Sequence, residues 1–189
     1  MSRQKAGLKL EHNIAKEIAD ITDDTIIPLR AGWSGNSAPP LPDLLVPYRG
    51  SLRAIEIKSS KQRRLTVEPE DVEEICHWAQ NMSEVSTYAY LSVKFTHYEL
   101  YTGYLPHPWD IEKSFKHFAE LCPFDANVTK SGNLTLGHPT HYDIEHTSAR
   151  AGDSNGLALL RQLNEHSMAN DDTGKDIVAV HDVLNRFSR

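Results

Sequence analysis

The chain has 189 residues, 39% of them hydrophobic and 24% charged, with a formal net charge of −6. That length supports one cored domain, alone or with an extension; no apolar run suffices to span a bilayer and the N-terminus MSRQKAGLKLEHN has no signal-type stretch, so a cytoplasmic protein with no membrane contact is expected. Overall acidity argues against a nucleic-acid partner, but the distribution reverses this: residues 1–64 hold eleven Lys/Arg against seven Asp/Glu and residues 65–189 nine against nineteen, and a basic half on an acidic chain marks a local anion-binding surface.

The first predicted element is an amphipathic helix over 6–21. Leu10, Ile14, Ile18 and Ile21 fall on one face, flanked by Leu8, Ala15 and Ala19, with Lys9, Asn13, Lys16 and Asp20 opposite. Glu11 breaks the pattern, because it lies inside the apolar arc. A carboxylate turned to a core costs several kcal/mol unless it is paired, so Glu11 needs a partner, either a metal or a basic side chain. Residues Thr25–Leu29 read as a short strand, and RAGWSGNSAPPL (30–41) reads as a Gly/Ser/Pro loop.

PDLLVPYRGSLRAIEIK (42–58) then reads as a β-hairpin. A two-residue turn centred on Arg49-Gly50 pairs Tyr48 with Ser51, and by the same register Asp43 with Glu56. Facing residues point to one side with Cβ atoms about 4.5–5.5 Å apart. Two carboxylates so close repel unless a hard cation lies between them. Lys58 projects from the same side as Glu56, while Ile55 and Ile57 face a core. This is the donor set of metal-assisted phosphodiester hydrolysis: Asp43, Glu56 and the Ile57 carbonyl as ligands, and Lys58 to orient water or to stabilise charge on the phosphate. A bare salt-bridge cluster on a surface strand is the competing reading of an isolated D-x12-E-x-K, and misplaced Glu11 and the basic first half weigh against it.

Further along, 68–82 reads as a helix with Pro69 in its first turn and early acids suited to its dipole. Its apolar side is Val72, Ile75, Cys76, Ala79 and Met82. TYAYLSVKF (87–95) is a buried strand, and 97–104 a possible continuation as another. Pro106 and Pro108 mark a boundary. A helix at 109–121, short strands within 124–150 and helices near 156–168 and 174–187 complete the chain. Cys76 and Cys122 make no disulfide framework and are expected to be reduced. Trp33 is expected to pin its loop or to stack on a base, Trp78 and Trp109 to pack in helices, and His138, His141 and His146 to be ordinary surface histidines and no zinc site.

Pro42-Asp43 followed by Glu56-Ile57-Lys58 resembles the PD-(D/E)xK nuclease superfamily. The N-terminal RQKAG leading into the Glu11 helix, Arg30 before AGWSGNS, the PDLLV strand, AIEIKSSK running into KQRR, and YLSVKF resemble, more narrowly, the archaeal Holliday junction resolvases over residues 3–105. The resemblance implies an α/β fold with a central mixed β-sheet flanked by helices, a restriction-endonuclease-like core over 1–105, and an α-rich acidic extension over 106–189. It implies a homodimer that resolves four-way DNA junctions by paired symmetric cleavage with Mg²⁺, or Mn²⁺, as cofactor. It further implies metal ligands at Asp43 and Glu56, Glu11 completing the site directly or through water, Lys58 as catalytic lysine, and Ser34 or Ser37 as the loop serine that assists cleavage. Arg3, Lys5, Arg30, Lys61, Arg63 and Arg64 are the expected DNA-contact residues. The alternatives are another endonuclease of the superfamily, of restriction or repair type, and a non-catalytic DNA-binding module of the same fold.

Overall fold

The computed structural model describes residues 3–30, 41–82, 85–138 and 154–170, with side chains from Lys9 to His166 within those ranges. Helix α1 (Arg3–Ile21) is followed by strands β1 (Leu29–Arg30), β2 (Leu44–Tyr48), β3 (Ser51–Ser60) and β4 (Arg64–Val67). Helix α2 (Glu70–Asn81), strands β5 (Thr87–Phe95) and β6 (Tyr101–Tyr104), helix α3 (Ile111–Leu121), strands β7 (Asp125–Val128) and β8 (Leu134–Gly137), and helix α4 (Asn155–Asn170) complete the described chain. Among these helices none is long and apolar enough to cross a membrane.

The hairpin forms in the expected register. Arg49 (φ 49°) and Gly50 (φ 70°) both adopt left-handed conformations, as a two-residue type I′ turn demands. Tyr48 faces Ser51, and the ladder continues to Leu44 opposite Ile55. β3 then pairs in parallel with β5 along its other edge, from Leu52–Thr87 to Ser60–Phe95. The result is a mixed five-stranded sheet in the order β1-β2-β3-β5-β6, parallel only at its centre.

Each face of this sheet is covered. On one side, Ile14 and Ile18 of α1 and Leu159, Leu160 and Leu163 of α4 bury Leu44, Val46, Ile55 and Tyr90. On the other, Val72, Ile75 and Cys76 of α2 and Phe115 and Phe118 of α3 close over Ala54, Leu91, Val93 and Phe95. Each fully buried aliphatic or aromatic side chain contributes roughly 1.5–3 kcal/mol, which is why alternation along β5 can lapse into a continuous apolar run. A second sheet, β4-β8-β7, joins the α2 side through Val67, Leu134 and Leu136. The segments after residue 105 therefore supply both cores. α4 lies so close to α1 that a Cβ on Gly156 would stand 2.6 Å from Cβ of Glu17, and the Gly156 N–H donates to Glu17 Oε2 at 2.8 Å.

Three local expectations change. The first strand is Leu29–Arg30, not Thr25–Leu29: Asp23 and Asp24 turn left-handed after α1, and the Thr22 hydroxyl bonds both the Ile18 carbonyl and the Ile26 N–H, tying the chain to the helix end. The strand after β5 begins only at Tyr101, because His97 (φ 73°) forces a turn. Arg64 opens β4, while Lys61 and Arg63 stay in the exposed bend before it. Trp109 precedes α3 and is 72% exposed, so it is not a packing residue, whereas Trp78 packs on the α2-side core. Cys76 and Cys122 are free thiols, and burial pushes the Cys76 thiol up to about 12, which makes it inert as a nucleophile.

Candidate active site

The site follows from a difference in strand length. β2 ends its ladder at Leu44 opposite Ile55, while β3 continues to Ser60. From Glu56 onward, β3 has lost its β2 partner and keeps only β5. Asp43, one residue before β2, takes the vacated place: its Oδ2 accepts the Ile57 N–H at 2.7 Å. In an extended strand the N–H and C=O of one residue leave by the same edge, so the Ile57 carbonyl opens on this side as well. Glu56 and Lys58 share a face of β3, and the Lys58 Nζ lies 2.8 Å from Glu56 Oε1. The opposite alternation holds too, since Ile55 is fully buried and Ile57 packs against the α1 side.

Burial and like charge define the electrostatics. The Glu56 side chain is 14% exposed. Burial first, and then the neighbouring Asp43 carboxylate, push its pKa up to about 8, although Lys58 pulls it down. Burial also raises Asp43, against the lowering effect of the Ile57 N–H, Lys58 and Arg30. Burial alone would lower the Lys58 ammonium, but Glu56 and Asp71 outweigh it and raise it. Two carboxylates are thus held where ionising both is costly without added positive charge.

Glu11 reaches the same region from α1. Its Oε2 lies 3.7 Å from an Arg30 Nη, and its side chain is 13% exposed. Burial and then Asp43 raise its pKa, while Arg30 lowers it. Arg30 is thus a basic partner for this misplaced acid. Arg30 is held beside the site by β1, which pairs it with Leu44. Lys61, Arg63 and Arg64 are all exposed, just past the end of β3. Ser34, Ser37, Trp33, His141 and His146 lie outside the described residues, as do the side chains of Arg3 and Lys5. His138 packs edge-on against Phe95 and near Tyr98, as a structural ring.

Sequence reasoning passed over two acids of α2. Asp71 Oδ1 lies 2.8 Å from Lys58 Nζ, and one turn later Glu74 is close enough for Asp43 to help raise its pKa, after burial. In the sequence both look like dipole-favouring acids in an early helical turn. The only available signal was their three-residue spacing, which places them on one face.

Among the described residues no group of three or more His, Cys, Asp or Glu gathers as a metal cage. The donors present nonetheless suit a hard divalent cation. Mg²⁺ keeps several waters and takes one or two carboxylates together with substrate phosphates, and two raised, mutually repelling carboxylates beside a strand carbonyl match that demand.

A family model described as archaeal Holliday junction resolvase (Hjc) matches residues 2–117. Among solved structures, the chain is similar to Hjc of Archaeoglobus fulgidus, a Holliday junction resolvase from an archaeal hyperthermophile. Identity is 19%, the match covers 68% of this chain and 85% of that one, and the TM-score is 0.47. No curated protein matches the chain significantly.

Proposed function

Because this chain belongs to the archaeal Holliday junction resolvase family, and is thus a nuclease that acts on branched DNA, we propose that it resolves four-way junctions by Mg²⁺-dependent hydrolysis at the β2–β3 site. The observation that carries the reading is the overrun of β3 past β2, which brings Asp43, Glu56 and Lys58 to one unpaired strand edge. Asp43, Glu56 and the Ile57 carbonyl would hold the cation. When bound, that ion polarises the scissile phosphate and lowers the pKa of a coordinated water.

The remaining chemistry belongs to the chain's own groups. Lys58 carries three N–H donors and no acceptor; with Glu56 and Asp71 taking two, a third is left for a phosphate oxygen, where charge builds during attack. Arg30, paired with Glu11, sets a second cation at the rim of the site. Glu11 acts through Arg30 or, through water, on the cation. Lys61, Arg63 and Arg64 extend the positive track along the strand's exit and would meet backbone phosphates, which position a duplex arm without reading its sequence. Ser34 or Ser37 is the proposed loop hydroxyl near the cleaved phosphate. A four-way junction offers two symmetric strands and each chain has one site, so paired cleavage calls for a homodimer, working on DNA in the cytosol.

The test is cleavage of an end-labelled four-way junction and its matched linear duplex, each with Mg²⁺ or with EDTA. Paired symmetric nicks in the junction alone, present only with Mg²⁺, are expected. Equal cutting of both DNAs would remove junction selectivity, and cutting in EDTA would remove the metal.

A further inference from the structure

The catalytic lysine proposed above has two acidic neighbours, and they stand in different situations. Glu56 is the nearer along the chain, and as a proposed ligand it must turn oxygen toward a cation. Asp71 sits across from it on α2, outside the donor set. Its Oδ1 receives the Lys58 ammonium at 2.8 Å. Its Oδ2 receives the backbone N–H of Glu68, also at 2.8 Å. Each carboxylate oxygen therefore has one short bond, and the group is fixed at both ends. The helix beneath it is anchored in turn, because Val72, Ile75 and Cys76 of α2 are buried against the sheet.

We infer that Asp71 is a positioning residue for Lys58, holding the ammonium in the site by a bond that stays when Glu56 is engaged elsewhere. The need for it is physical. A lysine has four rotatable carbons and a point charge, with no fixed geometry of its own. Were Glu56 its one partner, the same event that fills the site with positive charge would withdraw Lys58's anchor and repel the lysine. Asp71 opposes both effects, because it is carried by α2, lies outside the donor set and is held at its other oxygen by the Glu68 N–H. Lys58 thus keeps one bond to α2 and retains donors for the phosphate. Glu74, one turn further on α2, has no bond to Lys58 and does not share this role.

The inference rests on the nuclease reading, so the experiment separates the two. Wild type, Asp71→Ala, Asp71→Asn, Lys58→Ala and the double variant Asp71→Ala/Lys58→Ala are compared in single-turnover cleavage of a pre-bound four-way junction with Mg²⁺. Junction affinity is measured in EDTA. Removing a partner that orients a catalytic group typically lowers activity about 10–100-fold. A loss of that size is expected for Asp71→Ala, with a smaller loss for Asp71→Asn, which keeps an acceptor oxygen but not the charge. Junction affinity is expected to stay within about twofold, and the Asp71→Ala loss to disappear in the Lys58→Ala background, because residues acting through one another are non-additive. A full-sized additional loss in that background, or a parallel loss of affinity, would mean that Asp71 serves only to build the helix start and would overturn the inference. So would unchanged cleavage in both Asp71 variants. A wild-type chain that binds the junction and never cuts it would overturn the nuclease reading itself, and this inference with it.

Discussion

β3 carries two inward cations five residues apart, on opposite faces of the sheet, and the chain treats them differently. Arg53 is 4% exposed. Its guanidinium lies 4.4 Å from the Tyr88 ring centre and 5.9 Å from those of Tyr48 and Tyr90. Its Nη1 donates to the Ser51 hydroxyl, and no carboxylate pairs with it among the described residues. Lys58 is bracketed by two carboxylates and touches no ring among the described residues. The first cation is attracted by the faces of tyrosine rings that stay uncharged near neutral pH, so it has no counter-ion to trade. The second is held by acids that a cation, a proton or a phosphate can compete for. Arg53 is buried and Lys58 half-buried; only Lys58 has counter-charges that can be exchanged, which is what the chemistry proposed for it requires.

The sharpest way to break this comparison is to remove each cation. Lys58→Ala is expected to slow single-turnover junction cleavage by at least about 100-fold, as for loss of a group that stabilises developing charge. Arg53→Ala, far from the unpaired edge, is expected to leave the cleavage rate within about twofold. Equal losses would mean that the tyrosine-lined end also serves the reaction.

Stability reverses the order. Arg53→Ala opens space among three rings and is expected to cost about 2 kcal/mol, read as a lower denaturant midpoint with an unchanged slope.

A pH series sharpens the contrast further. The raised Glu56 pKa, about 8, lies above the ordinary 4.5. The folded state therefore binds the extra proton between those values, and the associated stability is full below 4.5 and lost as pH rises through about 8. Metal-free protein should lose stability across that window, and Glu56→Gln should reduce the slope, leaving the share of the other raised carboxylates, Asp43, Glu11 and Glu74. Added Mg²⁺ should oppose the loss, since it binds the ionised carboxylates of the folded state. The Arg53 end should be silent over the same range, as burial holds Tyr90 up at about 12 and also raises Tyr48. Thermal unfolding at several pH values, with and without Mg²⁺, checks all three.

The smallest effect concerns the track beyond the site. Single alanine substitutions at Lys61, Arg63 or Arg64 should each lower the slope of log affinity against log salt by about 1, with no change of cleavage position. A residue that leaves the slope unchanged does not meet a phosphate.

What the sequence by itself determined was local and periodic. The two-residue turn at Arg49-Gly50 fixes the register by counting, and counting brings Asp43 next to Glu56 and sets Lys58 on the same face as Glu56, although the ladder itself stops at Leu44 and Ile55. The misplaced Glu11 could be read because a carboxylate in an apolar arc has to find a partner, and the strand at 87–95 because a buried strand has a composition of its own. The limits of that reading are as local: two left-handed aspartates moved the first strand, one left-handed histidine shortened another, and the exposure of Trp109 depends on what fails to cover it.

What the tertiary structure alone decided is which elements meet. That Arg30 stands beside Glu11 depends on β1 pairing with β2. That Arg64 begins a strand depends on β8, which arrives some seventy residues later. That α4 braces α1 depends on a glycine small enough to meet Glu17. The grip of Asp71 on Lys58 belongs here as well: thirteen residues and a whole strand separate the two in the chain. Side-chain periodicity reports which face a residue occupies, but the partner across a packed interface is chosen by distances between elements that no single segment encodes.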